Sequence, residues 1–220
     1  LYKLPFDLPR ELAPVCRLTY GQYMLLAHPS VKVDKLAEFV AAAKGRGSPF
    51  NFSSAGIGSP SHLAMELFRL RAGIALNHVP YKGGAPATAA LLGGEVQTHF
   101  TNLVLALPHV RAGRLKALGI SGPRRVALAP EVPTIAEQGY AGFEVTSWYG
   151  LFAPANVPDA IQQRIYTELA AQFKGPDISK RLSSLGAEVN TMPPAEFARF
   201  VREEIRKWAP VVKASGAKAE

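Results

Sequence analysis

The chain has one cysteine, Cys16, in 220 residues. A lone thiol excludes an intrachain disulfide and any multi-cysteine zinc site; between Val15 and Arg17 it reads as a buried strand residue. No apolar run reaches the roughly 18 residues that suggest a membrane span, so no direct insertion into a membrane is expected. A secretory leader is also lacking. The first residue is Leu1 rather than Met, which reads as a processed or truncated form and leaves the compartment open on this ground alone. There is no Gly-x-Ser-x-Gly elbow and no P-loop lysine behind the glycines. His28, His78, His99 and His109 show no metal-ligand spacing with one another or with acids. Hydrolase, phosphate-transfer and metal chemistry thus lack support, and neither a cofactor nor a metal is expected.

What the chain does have is basic charge, a formal +8. The basic residues are scattered and no aromatic–basic run accompanies them, which argues against nucleic acid and fits attraction of a small anion or a merely soluble basic surface. The C-terminal cations Arg202, Arg206, Lys207 and Lys213 fit the solvated face of an amphipathic helix.

The most informative stretch runs from Phe50 to Leu70. Phe50–Ser54 reads as a short strand, Ala55–Ser61 as a small-residue turn and His62–Leu70 as a helix, with Pro60 suited to the first helical turn. The pattern partly repeats: a strand at Leu76–Val79, a turn at Pro80–Gly84 and a helix from Ala85 that ends at Gly93–Gly94. Each turn delivers a helix N-terminus, whose unpaired N–H groups and positive dipole end attract anions. Ser54, Ala55, Gly58, Ser59, Ser61 and His62 are the candidates in the first turn, although the serines would equally serve as helix caps. Tyr81, Lys82 and Gly83 are the candidates in the second. Thr101 and Asn102 follow a third strand and begin a third helix as a cap pair. Trp148, in a β-like segment, is a cleft wall or a core aromatic. Gly56-x-Gly58-x-x-Ser61 partly matches a dinucleotide fingerprint, but no acidic residue follows about 20 positions on, where the ribose would need it. With neither a nucleophile–base pair nor a metal cluster, binding is expected rather than catalysis.

Elsewhere the pattern predicts a strand at Met24–Ala27, a helix over Val33–Lys44, a turn at 45–49, strands at Val96–Phe100 and Leu115–Ile120, and a helix over Asn102–Arg111. A short helix is expected at Thr134–Gln138 and a β-forming stretch at Phe143–Phe152. Three helices follow, at Asp159–Phe173, Pro176–Leu185 and about Ala195–Ala214, with at most a short strand at Ala187–Asn190. Residues 1–22 show little regular pattern. Alternating strands and helices imply a mostly parallel sheet covered on both faces, with ligand beyond the carboxyl ends of its strands.

These residues together resemble one family, the substrate-binding receptors of tripartite tricarboxylate transporters, or Bug receptors. The resemblance rests on Phe52–Leu63, His78–Gly83, Leu107–Gly113, Pro130–Thr134, Gly142–Pro154 and the final Lys207-Trp208, in the family's order, and runs from Leu4 to the C-terminus. It implies an α/β, two-lobed periplasmic binding protein, a type II-like "Venus flytrap". Such a protein closes over a small carboxylate and hands it to the transporter's membrane components. Residues 27–145 would form the second lobe, and residues 1–26 with 146–220 an incomplete first lobe. Relatives normally carry roughly 75 more residues before the equivalent of Leu4, including a carboxylate-clamping loop; without them an exposed apolar patch is expected. The family often has aspartate where this chain has Thr101, which implies a carboxylate ligand without an amino group. The alternatives are a ligand-sensing module of a regulator or signalling system, an α/β enzyme acting through His62 and Tyr81, and a receptor fragment without function.

Overall fold

The computed structural model describes residues 5, 7–45 and 50–217. In chain order its elements are α1 (Leu8–Glu11), β1 (Leu12–Ala27), α2 (Leu36–Lys44), β2 (Phe50–Ser54), α3 (Pro60–Ala72), β3 (Leu76–Pro80) and α4 (Gly84–Leu92). There follow β4 (Thr98–Asn102), α5 (Leu103–Arg111), β5 (Lys116–Ile120), β6 (Thr146–Pro154), α6 (Asp159–Phe173), α7 (Pro176–Ser184), β7 (Ala187–Met192) and α8 (Pro194–Ser215). The chain forms two compact units, residues 1–21 with 147–214 and residues 22–146 with 215–220.

The second unit is built on strands in the order β3-β2-β4-β1-β5. β2 pairs in parallel with β3 and β4, while β1 is antiparallel to β4 and to β5. Four strands therefore share one direction and only β1 opposes them, so the expectation of a mostly parallel sheet holds for strand direction. Helices cover both faces. Met24 and Leu26 of β1 pack with Leu91 of α4 and with Leu103, Ala106 and Leu107 of α5. On the opposite face Phe68 of α3 meets Phe100 and Phe143 edge-on, with ring centroids 6.3 and 6.1 Å apart. Burying several such rings is worth roughly 1.5–3 kcal/mol each.

The first unit gathers β6, β7 and the N-terminal half of β1, with β7 antiparallel to β1 from Arg17 to Gly21. Phe197 of α8 is fully buried and packs on Trp148 and Phe152. A groove of about 300 Å³ on this unit is lined by Leu12, Pro14, Phe152, Val201, Ile205 and Arg206, among others.

Several expectations are corrected. The N-terminal region is not irregular: β1 has 16 residues and begins at Leu12. Buried polar residues hid it, because Arg17, Thr19 and Gln22 are all under 8% exposed and interrupt the apolar pattern. Arg17 is held by Asn190 and lies 4.7 Å from the Phe200 ring centroid. Thr134–Gln138 is a turn, not a helix. The Thr134 and Glu137 side chains do cap each other's amides, at 3.0 and 2.7 Å, but the helix this pattern would start does not continue. The helix expected from Val33 starts at Leu36, and the last strand runs on to Met192. The turn expected at 45–49 falls mostly outside the described residues.

Gln22 gives one prediction. Its amide nitrogen and oxygen are buried and have no hydrogen-bond partner among the described residues. Its side chain fills the place where Gly122 lacks one: a Cβ at Gly122 would lie 1.8 Å from Oε1. Gly122→Ala is expected to cost about 1–3 kcal/mol by overpacking. Gln22→Met, which keeps the length and removes the unpaired amide, is expected to be neutral or stabilising. Urea unfolding of the two variants checks both signs.

Candidate functional site

Because β2, β3 and β4 point the same way, their carboxyl ends lie along one edge of the sheet. The first two candidate turns are tied together there. The Tyr81 amide donates to the Ser54 carbonyl (3.0 Å) and the Gly83 amide to the Ala55 carbonyl (3.2 Å). Gly56 and Gly83 take φ of 127° and 115°, a region that side-chain-bearing residues avoid. Thr101 and Asn102 close β4 at the same edge.

The first turn satisfies most of its own donors. The Gly56 amide donates to Ser54 Oγ (3.1 Å), the Ala55 amide to Ser61 Oγ (3.0 Å) and the Gly58 amide to His62 Nδ1 (3.0 Å). Ser59 is the N-cap of α3, its Oγ accepting from the His62 amide at 3.3 Å, and Pro60 opens the helix. Ser59 and Ser61 share a 3.1 Å hydroxyl contact. A carboxylate that reaches the Ala55 or Gly58 amide must therefore replace Ser61 Oγ or His62 Nδ1. The exchange replaces a neutral acceptor with a charged one, which α3's dipole favours.

In the second turn Lys82 is exposed and Tyr81 half-buried. The Tyr81 hydroxyl donates to Glu95 Oε2 at 3.1 Å, and burial together with that carboxylate pushes the phenol pKa up, so Tyr81 stays a neutral donor. Asn102 caps α5, its Oδ1 accepting from the Leu105 amide at 3.0 Å. Thr101 is buried, opposite Met24 of β1. Trp148 belongs to the first unit, where its ring meets Phe197 and Phe200 edge-on at 5.5 Å. The eleven candidate residues of the second unit come together along one sheet edge; Trp148 is placed with an aromatic cluster of its own unit.

Two further histidines belong to this region, although their spacing in the sequence fits no metal site. His78 stacks on His62 with ring centroids 3.9 Å apart and planes 10° apart, and on Phe52 at 4.8 Å. Its Nε2 lies 2.6 Å from Ser54 Oγ. Burial, then the neighbouring His62, lowers its pKa to about 4. Burial lowers that of His62 as well, with Glu66 opposing and Arg69 adding to the effect. The available signal was register: parallel β2 and β3 set Phe52 beside His78, one strand position from Ser53 and two from Ser54. His99 is fully buried, its Nδ1–H donating to the Ser53 carbonyl at 2.8 Å. No group of three or more His, Cys, Asp or Glu among the described residues is arranged to hold a metal ion.

Strands alternating with helices, one opposed strand in the sheet and small-residue turns at the strand ends are the architecture of periplasmic binding proteins. The particular family follows from direct comparison. Residues 1–217 match the tripartite tricarboxylate transporter family receptor, and the chain belongs to that family, which is one of solute receptors rather than enzymes. It is 34% identical to protein BugT of Bordetella pertussis over 98% of this chain and 66% of that one. Among solved structures, an R. palustris protein with adipate has a TM-score of 0.83 at 30% identity, covering 98% of this chain and 72% of that one. MatC from Rhodopseudomonas palustris with bound malate has a TM-score of 0.80 at 33% identity, covering 96% and 73%. The chain spans about two thirds of the length of the curated relatives it matches. No helix among the described residues is long and apolar enough to cross a membrane.

Proposed function

We propose that this chain is an extracytoplasmic, periplasmic receptor that captures a small carboxylate lacking an amino group and presents it to the membrane components of a tripartite transporter. The observation that carries this reading is the alignment of the Ser54–His62 turn, the Tyr81–Gly83 turn and the Thr101–Asn102 cap along one sheet edge. Ser54, Ala55, Gly58, Ser59, Ser61 and His62 would receive one carboxylate. Tyr81, Lys82, Gly83, Thr101 and Asn102 would orient the rest of the ligand, and Trp148 is the remaining candidate contact. We read the lobes as residues 27–145 and residues 1–26 with 146–220; the division of the chain into two compact units supports this. Residues 27–145 carry twelve Lys or Arg against seven Asp or Glu, a net +5, which suits an anion. Adipate and malate, seen with relatives, both lack an amino group.

Selectivity follows from Thr101. It is 3% exposed and carries no charge, so an ammonium placed there would lose water without gaining a counter-ion, at a cost of kilocalories. A thermal-shift series tests the reading. Succinate, glutarate or adipate at about 100 times its dissociation constant is expected to stabilise the fold by roughly 2.7 kcal/mol, and aspartate and glutamate by much less. Tighter binding of the amino acids would overturn the selectivity, and no shift with any carboxylate would overturn the receptor reading for this chain.

A further inference from the structure

His78 is absent from the ligand turn in sequence but joined to it in space. Its ring stacks on both Phe52 and His62, which also stack on each other at 6.1 Å, and its Nε2 reaches the Ser54 hydroxyl. The two imidazoles differ in what a proton would do to them. His62 Nδ1 accepts the Gly58 amide, so protonating it sets two donors face to face and breaks that bond. His78 loses nothing: the Ser54 hydroxyl, 3.1 Å from the Gly56 carbonyl, can turn its hydrogen there and accept from a protonated Nε2. With rings 3.9 Å apart, a charge on one opposes a charge on the other.

The charged groups facing the pair come from α3. They are Glu66 and Arg69, which pull His62 in opposite directions and are bonded to each other at 2.7 Å. From β2 come Phe52 and Ser54, which are uncharged, and from His78's own strand Asn77 and Val79. Glu66 outweighs Arg69 at His62, so the fixed charges favour a proton there, and the Gly58 hydrogen bond to Nδ1 opposes it.

We propose that His78 is a positioning residue and proton acceptor behind the anion turn: an anion that takes the Ala55 amide from Ser61 Oγ draws one proton onto His78, while His62 stays neutral and keeps the Gly58 amide. The proposal rests on the receptor reading for its ligand. Without an anion, burial, then His62 wherever it carries a proton, lowers the His78 pKa to about 4; with His62 neutral only burial opposes the charge, and a carboxylate at the Ser54 turn favours the imidazolium and raises the value. By linkage, affinity then rises as pH falls below the pKa of the complex, by at most about tenfold per unit for one proton.

The test compares wild type with His78→Gln, whose amide still bonds Ser54 but takes no proton. Succinate affinity is measured by calorimetry from about pH 8 down to about pH 5.5, across the range where imidazole charge is linked to binding. At the alkaline end the two proteins are expected to agree within about threefold, the scale of one retained hydrogen bond. The ratio of wild-type to variant affinity, in which the ligand's own ionisation cancels, is expected to climb as pH falls. A ratio flat in pH overturns the proposal. Absence of succinate binding by both proteins would count against the receptor reading. The pair is still decided in that event by imidazole-nitrogen NMR of the wild type: His78 is expected to titrate first, with His62 Nδ1 unprotonated and the Gly58 amide unmoved. His62 titrating ahead of His78, with the Gly58 amide shifting, overturns it.

Discussion

Unfolding free energy is expected to fall by roughly 3 kcal/mol as pH drops from about 6.5 to about 4, on account of His99 alone. This ring is 0% exposed, and its Nε2 has no hydrogen-bond partner among the described residues. Nδ1 must carry the hydrogen, because its partner is the Ser53 carbonyl. Protonation would place a charge at Nε2 with nothing to receive it. Burial accordingly lowers the pKa to about 4, although the Ser53 bond opposes the shift. In the unfolded chain the same ring titrates near 6.5. The sign follows directly. Between those values the unfolded state holds a proton that the folded state refuses, so stability is full above about 6.5 and declines toward about 4. Glu137 acts in the same direction but lower on the scale. The Thr134 amide, then Arg125, hold its carboxyl below the usual range, so its contribution is lost only as pH falls through that lowered value. Urea titrations from about pH 7.5 to about pH 4.5 therefore isolate the histidines. His99→Asn keeps a donor toward Ser53 and is expected to be less stable at neutral pH but to lose the His99 share of the slope, leaving the share of His78, which burial also lowers to about 4. An unchanged slope in that variant would assign the effect to other groups.

The sequence was legible where local chemistry and periodicity agree. Asp159–Phe173 was read to the residue, because an uninterrupted 3.6-residue apolar stripe follows Pro158. Ser59 and Pro60 announced the start of α3, and Gly93 the end of α4. β1 was not legible. A strand that changes sheet partners along its length, and buries Arg17, Thr19 and Gln22, presents no single alternation to read. The candidate turns were located correctly beside one another only because β2, β3 and β4 run parallel, which the strand–turn–helix repeat implied. What the turn does with its donors was hidden. Serine and histidine are the residues that hold an anion, and they are also the residues that cap a helix; the structure has Ser54, Ser59, Ser61 and His62 accepting the turn's own amides. His78 was invisible for a different reason. Its role depends on strand register and on a helix laid over the sheet, and no spacing rule within one segment carries that information.

Phe197→Ala is expected to be the most damaging single change, at about 3–5 kcal/mol. Phe197 is fully buried and anchors the aromatic cluster of the first unit, meeting Trp148 at 5.5 Å, Phe152 at 5.2 Å and Phe200 at 6.4 Å. The remaining elements of that unit have little else to bury. α7 has no buried residue, α6 only Gln162 and Ala170, and every residue of β7 is half-exposed. The position is also tight from the other side. Gly150 of β6 leaves room for the ring: a Cβ there would lie 2.3 Å from Phe197 Cζ and 3.0 Å from the Cys16 carbonyl oxygen. Gly150→Ala should cost about 1–3 kcal/mol by overpacking. The pair should couple, since shortening the ring to leucine makes space for the methyl group. The double variant Gly150→Ala, Phe197→Leu is expected to be more stable than the sum of its parts by at least about 0.5 kcal/mol. Hydrogen exchange supplies the spatial readout. In Phe197→Ala, amides of β6 and α8 should lose protection while those of β2 and β4 keep theirs, as expected when a damaged unit opens locally. Uniform loss of protection across both would instead mean that the two units unfold together.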